Sequence, residues 1–325
     1  MTLLARVKPI MFVVAKLAMS AGAIYFLLQR VNIQQVLSFR VVNFPALALA
    51  VLAAMGLVFL QAVRWYLVAN SSGIAINLRK AIIAVWFGHF LNNLLPTSTA
   101  GDVVRNYTLK YESGAQGRWV GVLITEKFAA MFTALIVATS TALVAGLPGM
   151  PREVTLLVIL VLAAMMAGYL CLWFIKKAFS SHLSHRIRTY LAETIAAIAT
   201  LASTSLGRWA LICSLAVNLG MAMIFYMSSV IVGVHVDLSY CFFVVPVFSV
   251  IASLPISYGG WGVRELSGVH LLGLLGIASD AAFAVTVVYG VINLLSCIPG
   301  LLAGRIFVKS TKLQRSAHKI GTVRR

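Results

Sequence analysis

Negative charge is nearly missing from this chain: eight Asp and Glu residues stand against 26 Lys and Arg in 325 positions. Charge of either sign is scarce, at 10% of the residues, while hydrophobic side chains make up 61%. Soluble domains hold roughly 45–50% apolar residues, so this composition excludes a water-soluble globular domain. It points to an all-α polytopic membrane protein, with a mean hydropathy of +0.97. Cysteine is also sparse. Cys171, Cys213, Cys241 and Cys297 each lie inside an apolar run, with neither metal-ligand spacing nor a secreted disulfide pattern. Neither a metal nor a cofactor is expected. There is no Walker loop, no G-x-S-x-G and no H-E-x-x-H, so an ATP-driven pump would need a partner chain.

The surplus of 18 positive charges does not read as a nucleic-acid site, which would gather Lys and Arg on one solvated face. Here they fall mostly in short loops between apolar runs, the pattern of cytoplasmic loops facing anionic lipid.

A helix needs about 20 apolar residues to cross the hydrocarbon layer. Six runs qualify: Ile10 to Gln29, Phe44 to Ala69, Trp119 to Leu147, Val154 to Ile175, Trp209 to Gly233 and Ala281 to Val308. The first follows Arg6 and Lys8 and contains Ala21-Gly22-Ala23, which resembles a signal cleavage site. Ile24 to Leu28 still follow it, so an uncleaved helix is expected. Two runs are too short. Ala81 to Leu95 and Tyr240 to Leu254 offer about 15 residues before Pro96 and Pro255 stop them, and a second short run follows each. These read as broken re-entrant hairpins.

The same pattern stands at both breaks. Leu95-Pro96-Thr97-Ser98-Thr99-Ala100-Gly101-Asp102-Val103-Val104-Arg105 and Leu254-Pro255-Ile256-Ser257-Tyr258-Gly259-Gly260-Trp261-Gly262-Val263-Arg264 both read L-P-x-S-x-x-G-x-x-V-R. Broken hydrophobic segments at matching places in two halves point to a transporter's binding site. With each hairpin entering and leaving by one face, six crossings put both termini on the same side. Lys and Arg crowd that side and leave Arg30, Arg40 and Arg152 opposite, which places the termini in the cytoplasm. The expected organisation is one integral membrane domain over 1–325. It holds a first repeat at 10–147, an inverted second repeat at 154–308 and a cytoplasmic interfacial helix or linker at 178–207, followed by a basic tail at 309–325.

Unwound backbone at membrane depth is tolerated where it lines a cavity, and the start of a resumed half-helix favours an anion. The candidate substrate-binding residues are therefore Arg105, Arg264, Ser98, Ser257, Thr97, Asp102, Gly101 and Gly260, with Pro96 and Pro255 as the breaks. An arginine in the membrane interior is costly. Either Arg105 and Arg264 grip a phosphate, or they pair with Asp102 and with Glu265 or Glu126. Asp102, Glu126 and Glu265 are candidates for charge balance or proton coupling; Asp102 is equally suited to capping the resumed half-helix. Glu126 is expected to face the cavity, and Lys127 to snorkel to the cytoplasmic surface. Arg64, beside Trp65 and Tyr66, reads as an anchor in the aromatic belt, and His89 and His270 as hydrogen-bonded residues within the bundle.

At these residues the chain resembles the flippase-like membrane region of lysylphosphatidylglycerol synthases, a family with many stand-alone members. The resemblance rests on Arg64-Trp65, on Leu91-Asn92-Asn93-Leu94-Leu95-Pro96 leading into Gly101-Asp102-Val103-Val104-Arg105, on Glu126-Lys127, and on Pro255 through Glu265. It spans about residues 10 to 308. Where the family carries Glu-Arg this chain has Glu126-Lys127, and Ala129 and Ala130 stand where an aspartate is usual. The soluble aminoacyl-transfer domain has no counterpart in these residues, so lysine transfer is not implied.

The resemblance implies movement of a lipid or lipid-linked intermediate. The expectation is a non-enzymatic flippase of the cytoplasmic membrane whose partner is an anionic phospholipid or polyprenyl-phosphate-type lipid, working alone, as a homo-oligomer or with a lipid-biosynthesis enzyme. The rivals are a transporter of a small soluble anion, a membrane-embedded lipid-modifying transferase and an accessory subunit.

Overall fold

The computed structural model describes residues 18–27, 29, 31, 34, 43–95, 99–109, 118–178, 185–253 and 261–307. All regular structure among them is helical. The helices are α1 (Ala18–Leu27), α2 (Phe44–Ser71), α3 (Leu78–Leu94), α4 (Ala100–Thr108), α5 (Arg118–Ala145), α6 (Arg152–Ala178), α7 (His185–Ser203), α8 (Ser205–Val232), α9 (Leu238–Ser253), α10 (Val263–Leu274) and α11 (Ser279–Ser296), which runs on after a turn to Phe307.

Five stretches are long and apolar enough to cross a membrane: Phe44–Ser71, Arg118–Ala145, Arg152–Cys171, Ser205–Val232 and Ser279–Phe307. They coincide with five of the six runs expected from the sequence. The sixth is represented by α1, and its residues before Ala18 lie outside the described part, as does the basic tail 309–325. The protein is a multi-pass membrane protein. A 28-residue helix such as α2 reaches about 42 Å at 1.5 Å per residue, more than a hydrocarbon layer of about 30 Å. The 17 residues of α3 and 16 of α9 reach only about 24–26 Å.

Local chemistry sets the boundaries. Asn43 caps α2 by accepting the Ala46 N–H at 2.9 Å, with Pro45 in the first turn. Asn77 caps α3 through the Lys80 N–H, and Thr204 caps α8 through the Gly207 N–H. The two long helices α2 and α8, each 28 residues, end alike. Gly73 and Gly233 both adopt φ +78°, a left-handed conformation open to glycine. The next N–H then reaches back five residues, from Ile74 to Ala69 at 3.0 Å and from Val234 to Ser229 at 2.9 Å. A short helix follows each, α3 and α9.

The helices α2 and α8 pack against one another, and Leu57 fills the space left by Gly220. After α3 the chain folds back, so that α4 lies on α3 with Gly101 against the Gly88 backbone. Similarly, α10 returns against α9, where Gly268 faces Phe248. Helix α7 packs against α5 and buries Thr194, Ile195, Ala197 and Ile198. Two apolar clusters hold the bundle. Phe225, Phe243, Phe248, Leu272 and Tyr289 centre the first, while Val58, Trp65, Val68, Val85 and Val122 centre the second. On α6 the large side chains of Leu156, Leu157, Leu160 and Phe174 face outward, as suits a lipid-contacting helix.

Candidate functional site

Helix α4 is nine residues long and carries Asp102, Arg105 and Asn106 on one buried face, at positions i, i+3 and i+4. Charged groups in an apolar bundle must find partners, and theirs come from α2 and α5. Arg105 Nη2 lies 3.0 Å from Asp102 Oδ1 and 2.6 Å from Glu126 Oε2. Arg64 Nη2 donates to the other oxygen of Glu126 at 3.0 Å. Lys127 Nζ pairs with Asp102 Oδ2. The indole N–H of Trp65 donates to Asn106 Oδ1 at 2.9 Å, and Asn106 Nδ2 donates to the Asp102 carbonyl. Trp65 also lies near the Arg105 guanidinium, 5.6 Å from ring centre to Cζ.

The fold-back of α4 on α3 is held by Asn92. Its Oδ1 accepts the Gly101 N–H at 2.7 Å and its Nδ2 donates to Asp102 Oδ1 at 3.1 Å. The second hairpin is built differently. Gly262, at φ +83°, precedes α10, and Glu265 accepts its N–H at 2.7 Å. The same carboxylate takes Arg264 through Nε at 2.9 Å and through Nη2. Arg264 lies over the Trp261 ring, 4.6 Å from its centre, in the space that Gly290 leaves by having no side chain.

Between the two hairpins is a cavity of about 290 Å³. Its polar wall includes His89, Asn92 and Asn93 from α3, Lys127 from α5, Arg264 from α10 and Asn293 from α11. Phe248, Met221 and Tyr289 supply apolar surface, and Tyr289 packs edge-on against both Phe225 and Phe248. Two cations thus meet the cavity, with no carboxylate on its described wall. His89 is fixed by a 3.3 Å contact between Nε2 and Ser296 Oγ.

The sequence of the membrane region of lysylphosphatidylglycerol synthases matches residues 13–300. The chain belongs to that family. No curated protein matches it. The match gives this family member a link to lipid handling in the membrane and runs through α2, both hairpins and α5.

Within this member the matched arginines are not equivalent. Arg105 pairs with Asp102 as the sequence allows, adds Glu126, and is absent from the described cavity wall. Arg264 pairs with Glu265 rather than Glu126 and reaches the cavity. Asp102 stands in the first turn of α4 but spends its carboxylate on Lys127, Arg105 and Asn92 instead of capping. Gly101 is packed against Gly88 and its N–H is taken by Asn92. Pro96, Thr97, Ser98, Pro255, Ser257 and Gly260 lie outside the described residues.

Three assignments from the sequence change. Arg64 is not a belt anchor: it is buried on Glu126, because α2 runs past the polar face of α4. Lys127 does not snorkel: Asp102 holds it at the cavity. Glu126 faces the two arginines rather than the cavity wall. Lys127, Asn92 and Asn293 are the site residues that reading by motif underweighted, and their signal was the same for all three, a polar side chain within an apolar run.

Proposed function

We propose that this protein is a lipid translocase of the cytoplasmic membrane, without enzymatic activity of its own. It would move an anionic phospholipid or polyprenyl-phosphate-type intermediate with the head group in the cavity and the acyl chains in lipid. The observation that carries this reading is the cavity itself: Lys127 and Arg264 approach it from different helices, amides surround them, and their carboxylate partners Asp102 and Glu265 are absent from its described wall. Lysine supplies a point charge and arginine a planar fork, both suited to phosphate. A volume of about 290 Å³ suits a head group and not a whole lipid.

Recurring elements support the same reading, in which the second half is an inverted repeat of the first. The shared ending of α2 and α8, the short helices α3 and α9 after it, and the fold-back of α4 and α10 recur about 160 positions apart. Three crossings per repeat would invert the second unit, counting the α1 run as the sixth crossing. In this reading α3–α4 enters from the cytoplasm, α9–α10 from outside, and both termini are cytoplasmic. Such architecture lets one central site face either side in turn.

Purified protein in liposomes, with lipid exposure followed on each leaflet, tests the proposal. Wild type is expected to accelerate exchange of an anionic lipid, and the Lys127→Gln, Arg264→Gln double variant to lose that acceleration. Protein that inserts correctly yet moves no lipid class would refute it. Saturable uptake of a water-soluble anion would replace it with the secondary-transporter reading.

A further inference from the structure

The ion cluster between α2, α4 and α5 is out of balance. Among the described residues three cations, Arg64, Arg105 and Lys127, share two carboxylates, Asp102 and Glu126, which leaves one positive charge over. Acceptors are short as well. Each carboxylate oxygen already has a donor, Asp102 Oδ1 has two, and the buried Nε atoms of Arg64 and Arg105 find no acceptor among the described residues. An uncompensated charge in a low-dielectric interior is costly, and a counter-ion relieves it.

The place for that counter-ion follows from exposure. The side chains of Arg64, Arg105, Asp102 and Glu126 are at most 8% exposed, whereas Lys127 is 36% exposed. Lys127 is also the member of the cluster that lines the cavity. On the far wall, Arg264 is neutralised by Glu265, so it offers donors without adding net charge.

We propose that the cavity selects a head group with one negative charge, the phosphodiester of a phospholipid, and that Lys127 is the residue that determines this choice. Asp102 holds Lys127 while the cavity is empty of lipid, and the phosphodiester shares it on binding and meets the surplus charge. A zwitterionic head group would bring its own cation into a site already cationic. A phosphomonoester with two charges would exceed what the cluster can compensate. The inference rests on the translocase reading for the source of the phosphodiester, though its charge rule concerns binding alone.

The test is lipid competition on the full-length protein in mild detergent, read by native mass spectrometry. Dioleoyl phosphatidylglycerol is set against dioleoyl phosphatidylcholine and dioleoyl phosphatidic acid, at about pH 8, where a phosphomonoester is close to doubly charged. Soluble glycerophosphoglycerol is added as a separate competitor. Wild type is expected to retain phosphatidylglycerol about tenfold better than either rival lipid, a ratio equal to about 1.4 kcal/mol. Lys127→Gln should lose the preference, and Lys127→Arg should keep it. Asp102→Asn, which adds a second surplus charge, should move the preference towards phosphatidic acid and provides a reading if Lys127→Gln does not fold.

Equal retention of phosphatidylcholine, or an unchanged preference in both Lys127→Gln and Asp102→Asn, would overturn the proposal. Displacement of lipid by equimolar glycerophosphoglycerol would overturn the lipid source. Selective binding without lipid movement supports this inference and counts against the translocase reading; movement of every lipid class alike does the reverse.

Discussion

Gly101 lies so close to the carbonyl oxygen of Gly88 that a β-carbon on Gly101 would overlap it. This contact lets α4 fold back onto α3, and the fold-back sets Asp102 and Arg105 facing α2 and α5. The first hairpin, and with it the ion cluster, depends on a missing side chain.

Gly101→Ala should therefore destabilise the protein by at least about 1–3 kcal/mol, the usual cost of forcing atoms into a packed site, because backbone cannot move aside as a flexible side chain does. At Gly88 an added β-carbon would stand 3.1 Å from the Gly101 oxygen and 3.3 Å from Arg105 Cδ, so Gly88→Ala should cost less. Thermal unfolding of both variants in the same detergent gives the order. A Gly101→Ala protein as stable as wild type would mean that the helices do not touch here.

Gly290→Ala tests the other hairpin with little effect on folding. The new methyl group would overlap the end of the Arg264 side chain, a flexible group that can swing away. Anionic-lipid binding should fall several-fold while the unfolding temperature changes little. Full binding with Arg264 displaced would remove Arg264 from the ligand site.

Removing a carboxylate should be worse than removing the cavity cation. Glu126 is 1% exposed and holds both Arg64 and Arg105, so Glu126→Gln leaves buried charge unpaired at a cost of about 3–5 kcal/mol. Lys127→Gln removes the surplus charge and should be far milder. Chemical or thermal unfolding of the two proteins gives the comparison. The opposite order would contradict the imbalance in the cluster.

Topology can be read by labelling. With Cys171, Cys213, Cys241 and Cys297 replaced by serine or alanine, single cysteines at Arg118 and Arg152 begin α5 and α6. The proposed orientation puts position 152 outside and 118 in the cytoplasm. An impermeant maleimide should label only 152 in intact cells and both after lysis. Labelling of 118 alone in intact cells would invert the arrangement.

The membrane class, five of the spanning helices and the two shorter helices α3 and α9 were legible from one-dimensional features: length of apolar run, proline, and the clustering of Lys and Arg. These follow from the thickness of hydrocarbon and from the loss of an N–H at proline, neither of which needs knowledge of neighbours. The pairing of Arg105 with Asp102 was legible too, since three residues is one helical turn. The partner of Glu126 was not. Arg64 is 62 positions away and Arg105 is 21, and only the packing of α2 and α4 against α5 brings them to one carboxylate.

The repeated L-P-x-S-x-x-G-x-x-V-R motif suggested two equal arginines, because a motif reports spacing along the chain and not the direction of a side chain. In the fold one arginine is enclosed by Glu126 and Asp102, while the other lies over Trp261 beside the cavity. The sequence by itself determined that this chain lives in a membrane and carries one motif twice at matched places. Tertiary structure alone decided that Lys127 joins Arg264 at the cavity, because the pairing of buried charges depends on which helices meet.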